Sequence, residues 1–455
     1  MTVVPGIFRQ YDIRGIVDRD LTPATARAIG TAYAALMRER SVVGPVAVGR
    51  DNRPSGEALR DGLVDGLNEA GVDVIDVGVV PTPLLYWSLH HIGVVGGIQI
   101  TGSHNPPEYN GFKLSLGKGT LHGDDIQRLL ALTAHAPTTS RTGSVRREEV
   151  IDRYVDDVTR RIGRLSRPIR AVWDCGNGAG ALVATTMFES IGLTGRGLYC
   201  ESDGTFPNHH PDPTVPENLE ALIAAVRADG AEIGIAFDGD ADRIGVVDAT
   251  GEIVWGDRLL ILYARDVLAR TGKGQPIIFD VKCSQALPQA IEAAGGRPIM
   301  WKTGHSLIKE KMKETAAPIA GEMSGHMFFT EGFYGHDDAL YGAARLLKIL
   351  ADAGKTVREL LSDVPAYVAT PEIRIDCPDA LKFGIVERAV KHFRAKYDVN
   401  DVDGVRVLFG DGWGLIRSSN TQPVIVARYE ARTPERLAAI RNELEGFLRA
   451  EGVAI

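Results

Sequence analysis

Pro45-Val46-Ala47-Val48-Gly49 is a compact apolar run and reads as a buried strand. What surrounds it decides the fold. Upstream, Thr22-Pro23 reads as an N-cap with proline at the first helical position, and Ile29, Tyr33, Leu36 and Met37 then recur at helical spacing. Downstream, Leu59, Leu63 and Leu67 mark a second helix, and Val72 to Val80 a second strand. Strands alternating with amphipathic helices imply an α/β layer.

The same rhythm returns twice. A second segment opens near Ile169-Arg170-Ala171-Val172-Trp173 and closes on a strand pair around Asp238. A third runs through Pro276-Ile277-Ile278-Phe279-Asp280 and includes a long helix near Ala339 to Ala353. The tail differs. Pro371-Glu372-Ile373-Arg374-Ile375 starts a strand, with helical patterns near Ala380–Tyr397 and Pro434–Ala450, and this reads as a smaller α+β unit. At roughly 100–200 residues per domain the length suits such a division. The expected domains are residues 1–148, 149–251, 252–365 and 366–455.

Composition narrows the function. Hydrophobic residues are 44% and charged residues 24%, which excludes disorder and collagen-like repetition. The net charge of −8, from 59 acids against 51 bases, argues against nucleic acid as a partner. No run of about 18 apolar residues occurs and the N-terminus carries no apolar leader, so neither a membrane span nor secretion is expected. Cys175, Cys200, Cys283 and Cys377 are far apart in sequence with no Cys-x-x-Cys pair, so reduced cytoplasmic thiols are expected.

Chemistry-bearing residues sit in loops after strands. Asp238-Gly239-Asp240-Ala241-Asp242-Arg243 links the strands Ile233–Phe237 and Ile244–Val247. Small spacers let its three carboxylates converge, at a cost that a cation removes, and hard oxygen ligands favour Mg²⁺ or Ca²⁺. An EF-hand loop counted from Asp238 would need glycine where Arg243 stands and glutamate where Ala249 stands, so that reading fails. Thr101-Gly102-Ser103-His104-Asn105-Pro106-Pro107 follows the strand Val95–Ile100, where open α/β sheets place their sites. Lys113 lies a short loop downstream, positioned to face a phosphate. No Gly-x-Ser-x-Gly elbow surrounds Ser103, against a serine hydrolase. His104 is not assigned as a base, because adjacent side chains rarely point at one target. Arg417-Ser418-Ser419-Asn420-Thr421 offers a guanidinium fork and neutral donors to a phosphate that is bound but not broken. Gly321-Glu322-Met323-Ser324-Gly325-His326 mixes acceptors and donors that suit a sugar diol, and His305 is a weaker single hint. Gly176-Asn177-Gly178-Ala179-Gly180-Ala181, with Glu201 downstream, partly matches a dinucleotide fingerprint; its glycines equally suit close packing.

Together with Phe8-Arg9-Gln10-Tyr11-Asp12-Ile13-Arg14-Gly15, these loops resemble, in order and over nearly the whole chain, the α-D-phosphohexomutase family and its bacterial phosphomannomutase/phosphoglucomutase group. The resemblance implies three related α/β domains with mixed sheets and a smaller α+β C-terminal domain around a central cleft. It implies reversible phosphoryl transfer between O1 and O6 of a mannose or glucose phosphate, through phosphorylated Ser103 and a hexose 1,6-bisphosphate that also serves as activator. Mg²⁺ would be held by Asp238, Asp240, Asp242 and a phosphoserine oxygen. Glu322 and Ser324 would hold the sugar 3- and 4-hydroxyls, and Arg417, Ser419, Asn420 and Thr421 the standing phosphate. Tyr11, Arg14, Lys113, Arg243, Lys282, His305 and His326 would line the cleft, with His326 and Arg14 as candidates for proton transfer. Partners are then small sugar phosphates, with no nucleic acid or membrane, and the chain is a monomer or small homo-oligomer. Ala241, where glycine is common, and an extra Ser418 are the departures. A phosphoglucosamine mutase, a non-catalytic sugar-phosphate binder and a nicotinamide dehydrogenase are the competing readings.

Overall fold

A computed structural model of the chain describes residues 3–134, 139, 141–420 and 422–455. Helix signals in the sequence are realised locally. Thr22 Oγ1 accepts the Thr25 N–H at 3.1 Å, and Pro23 opens a helix that runs to Glu39. Asp338 accepts the Tyr341 N–H at 2.8 Å to start the helix Ala339–Ala353, which ends on Gly354 in the left-handed region.

In the first sheet Val46–Arg50 lies between Val74–Val79 and Gly96–Ile100, parallel to both. Tyr109–Leu116 then pairs antiparallel with Gly96–Ile100, and Ile13–Ile16 antiparallel with Tyr109–Leu116. The second sheet repeats the plan. Arg170–Asp174 is parallel to Thr194–Leu198 and Ile233–Phe237, and the latter turns back on antiparallel Ile244–Asp248. In the third, Pro276–Asp280 runs parallel to Arg297–Trp301 and Ile319–Gly321, and Met327–Phe329 closes the edge antiparallel. These are three mixed sheets. The fourth is antiparallel throughout, built on Val424–Ala431 and covered by the helices Asp379–Arg394 and Pro434–Ala450.

Burial follows the same division. The first unit has its own apolar core from Val3 to Leu132, a further core runs from Ala47 to Val364 across the first three units, and the tail has its own from Ile375 to Val453. A small patch of Val281, Trp413 and Leu415 joins the tail to the third unit. The four cysteines are free, but Cys175 and Cys200 bring their sulfurs within 3.1 Å, a pairing that their spacing in sequence hid. Among the described residues no helix is long and apolar enough to cross a membrane.

Candidate active site

The strand Gly96–Ile100 ends at the loop that carries Ser103. Ser103 is buried and adopts a left-handed backbone, φ 49°. This turn sends its Oγ to Asp238 Oδ2, to which it donates at 2.9 Å. It also brings His104 Nδ1 to 3.1 Å from the same oxygen. The expectation that His104 would face elsewhere is therefore corrected. The unusual φ breaks the alternation that normally separates adjacent side chains. Burial, followed by the cations Arg243 and Arg14, pushes the His104 imidazole down, so it is neutral.

The strand Ile233–Phe237 ends at the acidic loop. Asp238 Oδ1 accepts the N–H groups of Asp242 and Arg243 at 3.0 and 3.1 Å, which folds the loop on itself. Ala241 occupies a left-handed position, φ 58°, which explains why glycine suits this spacer. The three carboxylates, fully buried, bring an oxygen each within 4.8 Å of one another, and Asp240 Oδ1 has no partner among the described residues. Lys113 lies across them, donating to Asp240 Oδ2 at 2.8 Å and to Asp242 Oδ2. Burial and the charges of Asp242 and Asp240 push Asp238 well above the usual carboxylate range. A convergent set of hard oxygens with an orphaned member fits a divalent cation, which would also relieve that repulsion.

The loop after Ile319–Gly321 reaches the same point. His326 bridges two sites: its Nε2 lies 3.1 Å from Asp242 Oδ1 and its Nδ1 2.8 Å from Glu322 Oε2. Burial opposes its charged form, but these two carboxylates outweigh burial and lift it to about 9. Arg243 Nε lies 3.3 Å from the same Nε2, and the backbones of Arg243 and His326 form a short antiparallel bridge. Ser324 Oγ lies 3.4 Å from His326 Nδ1, and Glu322 Oε1 accepts the Gly304 N–H at 2.6 Å. His305 packs between Tyr11 and His326, with ring centroids 6.4 and 5.9 Å away. Burial and the neighbouring Lys309 hold it well below the ordinary histidine range.

The tail supplies the far wall. Asp403 accepts the Arg417 Nε–H at 2.9 Å and fixes the plane of the guanidinium. Asn420 Nδ2 donates to Tyr11 Oη at 2.6 Å, and Tyr11 donates to Thr303 O at 2.7 Å, so one phenol touches the tail and the third unit. Ser419 Oγ accepts the Gln422 N–H at 3.1 Å. Thr421 lies outside the described residues. Ser418 Oγ donates to Lys382 O at 3.2 Å, a structural use for the extra hydroxyl. Lys282 Nζ donates to Glu372 Oε2 at 3.0 Å. Arg14 spans Asp12 and Asn105, at 2.6 and 2.9 Å, at the mouth of the serine loop.

Several contributors carried no motif. Thr82 donates to Asp240 Oδ2, and Thr101 Oγ1 lies 3.1 Å from the same atom. Asp51 accepts from Thr101 and from the Gly102 N–H, at 2.8 and 3.0 Å. No local signal could have found them; in the structure Arg50 pairs with Ile100 in parallel strands, so the loops that follow leave the sheet together. The dinucleotide-like glycines turn out to pack against the acidic loop. A Cβ on Gly178 would fall 2.7 Å from Gly239 O, and the Ala179 N–H donates to that carbonyl at 2.9 Å.

Comparison with known proteins agrees with this arrangement over the whole chain. Residues 5–139, 152–251 and 255–367 match the phosphoglucomutase/phosphomannomutase alpha/beta/alpha domains I, II and III, and residues 372–446 match the C-terminal domain. A phosphomannomutase/phosphoglucomutase of Pseudomonas aeruginosa is 47% identical over 450 residues, covering 99% of this chain and 96% of the relative. A phosphoglucomutase of Neisseria gonorrhoeae is 45% identical over 454 residues, covering 99% and 98%. The crystal structure of a phosphoglucomutase/phosphomannomutase family protein from Burkholderia thailandensis superposes with a TM-score of 0.91 at 43% identity, covering 99% and 98%. With four matching domains in order and the loops of Ser103, Asp238–Asp242 and Glu322–His326 meeting at one point, the chain belongs to the phosphoglucomutase/phosphomannomutase family.

Proposed function

We propose that the chain interconverts the 1- and 6-phosphates of mannose and of glucose, with Ser103 as the phosphate carrier and a hexose 1,6-bisphosphate as intermediate and activator. The observation that carries this reading is the 2.9 Å contact between Ser103 Oγ and Asp238 Oδ2, inside a buried acidic cluster with Lys113 alongside. When bound, a divalent cation, Mg²⁺ in this reading, would be held by Asp238, Asp240, Asp242 and an oxygen of phosphorylated Ser103, and would neutralise charge there.

In the forward half-reaction the Ser103 Oγ–P bond breaks and a bond from phosphorus to the free sugar hydroxyl forms. The sugar hydroxyl gives up a proton and Ser103 Oγ gains one. Neutral His104, 3.1 Å from Ser103 Oγ, is placed to exchange a proton with that oxygen. His326, between Asp242 Oδ1 and Glu322 Oε2, is a second candidate for proton transfer. Lys113 and Arg243 offset charge on the moving group. Glu322 and Ser324 take the 3- and 4-hydroxyls, which stay near the axis when the bisphosphate turns around. Arg417, Ser419, Asn420 and Thr421 take whichever phosphate is standing, and Tyr11, Lys282, His305 and Arg14 complete the walls. The second half-reaction returns the other phosphate to Ser103.

Ser103→Ala tests the reading. Turnover of glucose 1-phosphate and mannose 1-phosphate, with bisphosphate present, is expected to fall by about 10³-fold or more, as for loss of a covalent carrier. Peptide mass of the wild type should show phosphate on Ser103. Full activity in the variant would end the carrier role. Glucosamine 1-phosphate in the same assay separates the mannose/glucose reading from the amino-sugar one.

A further inference from the structure

Arg53 lies outside every motif, yet its side chain is completely buried beneath the serine loop. A guanidinium has five N–H donors, and here each has an acceptor. Nε donates to Asp51 Oδ2 at 3.1 Å. Nη1 donates to Pro106 O at 2.5 Å and Tyr109 O at 3.0 Å. Nη2 donates to Ser103 O at 2.8 Å and Asn105 O at 2.5 Å. Three carbonyls of the serine loop and that of Tyr109, where the next strand begins, thus converge on a single rigid fork. With all five donors committed, the group has none to offer a phosphate.

The surroundings are built to keep it there. Asp51 takes the Arg53 backbone N–H at 3.1 Å and also the Thr101 hydroxyl and the Gly102 N–H, so it clamps the guanidinium and the start of the loop together. A Cβ on Gly102 would fall 2.4 Å from Arg53 Cζ, which explains the glycine before Ser103: the fork lies flat against it. Phe206, from the second unit, stacks on the guanidinium at 5.0 Å. A Cβ on Gly239 would fall 2.4 Å from Ser103 O, so that carbonyl is held between the fork and the acidic loop. The left-handed conformation of Ser103 is unfavourable for a residue with a side chain, and Arg53 holds the carbonyl that this conformation turns inward.

We propose that Arg53, clamped by Asp51, is a positioning residue for phosphoryl transfer: it fixes the backbone of Ser103 so that Oγ faces the acidic loop. This rests on the reading of Ser103 as the phosphate carrier. A displaced carrier loses in-line alignment while the sugar and phosphate loops still bind, so the effect falls on turnover rather than on substrate affinity.

The test uses the full-length protein and two variants. Arg53→Lys keeps the charge but loses the fork. Gly102→Ala keeps Arg53 and pushes its guanidinium aside. For each, kcat and KM for glucose 1-phosphate are measured well below the melting temperature and normalised to folded protein, with Ser103 phosphate quantified by peptide mass. Both variants are expected to lose about 100-fold in kcat, the scale set by misplacement of about 1 Å, with KM unchanged within about threefold. Wild-type kcat per folded molecule, or a loss confined to KM, would overturn the proposal. If Arg53→Lys does not fold, Gly102→Ala decides on the same criteria. Absence of phosphate on Ser103 in the wild type after bisphosphate treatment would overturn the carrier reading beneath it. Phosphate present with undiminished variant turnover would overturn the positioning role alone.

Discussion

Lys113 shows how one residue sets the charge balance of the site. It is buried between Asp240 and Asp242, and burial alone would depress its charged form; the two carboxylates outweigh burial and raise it well above the ordinary lysine range. Lys113→Met leaves those carboxylates uncompensated, a loss of about 3–5 kcal/mol by analogy with broken buried pairs. A cation regains more where repulsion is greater, so the melting temperature of the variant is expected to rise more on adding Mg²⁺ than that of the wild type. Calorimetry with chelator and with Mg²⁺ checks this, and equal increments would refute it. The convergence of the acidic triplet was legible because its spacing is local, whereas the contacts of Lys113 with Asp240 and Asp242 span 127 and 129 residues and were not. His104 was not, because its approach to Ser103 depends on a single left-handed φ. Asp51 and Arg53 were invisible for another reason: their partners lie about fifty residues away, and the contacts follow from strand order.

Elements were more legible than the contacts between them. The helices Ala339–Ala353 and Pro434–Ala450 match expectation to the residue because caps and apolar periodicity agree. The strand expected at Val72 to Val80 is Val74–Val79, trimmed where the pairing stops. Sheet order could not be read, since no local signal says that Val46–Arg50 is central. Nor could the seat of the tail. The strand Val405–Leu408 carries Arg406 into the third unit, where its Nη1 donates to Val281 O and Cys283 O, each at 2.7 Å, above the Trp413 ring at 3.6 Å. Arg428 donates to Lys282 O beside it. Arg406→Met strands two buried carbonyls, about 1–3 kcal/mol each. The expected result is an early transition in tryptophan fluorescence during denaturation, as the tail releases first. KM for hexose 1-phosphates should rise with it, because Lys282 and the Arg417 loop lose alignment. A single transition at the wild-type midpoint would contradict this.

At the scale of the molecule, acid should loosen the seam between the first and third units. His90, at the end of the helix Thr82–His91, faces Tyr334 and His336, with ring centroids 4.7 and 6.4 Å away. Burial, then the charges of His336, Lys118 and His91, lower it from 6.5 to about 4. Its folded form binds fewer protons than the unfolded chain between these values. The stability it contributes is complete above about pH 6.5 and is lost as pH falls toward about 4. The melting temperature of His90→Gln should therefore drop less than that of the wild type between pH 7 and 5. Parallel slopes would rule the seam out as the acid-sensitive element.

The three loops that meet in the cleft are joined by an unbroken run of polar contacts. It passes from Glu322 through His326, Asp242, Lys113, Asp240 and Thr101 to the Ser103 N–H. Any occupant that reorders donors at one end changes the partners available at the other, and thermodynamic linkage makes that influence mutual. The catalyst thereby carries a memory. On the proposed reading, a phosphate on Ser103 would alter how the Glu322 loop is set, and a sugar seated there would alter the loop that holds Ser103.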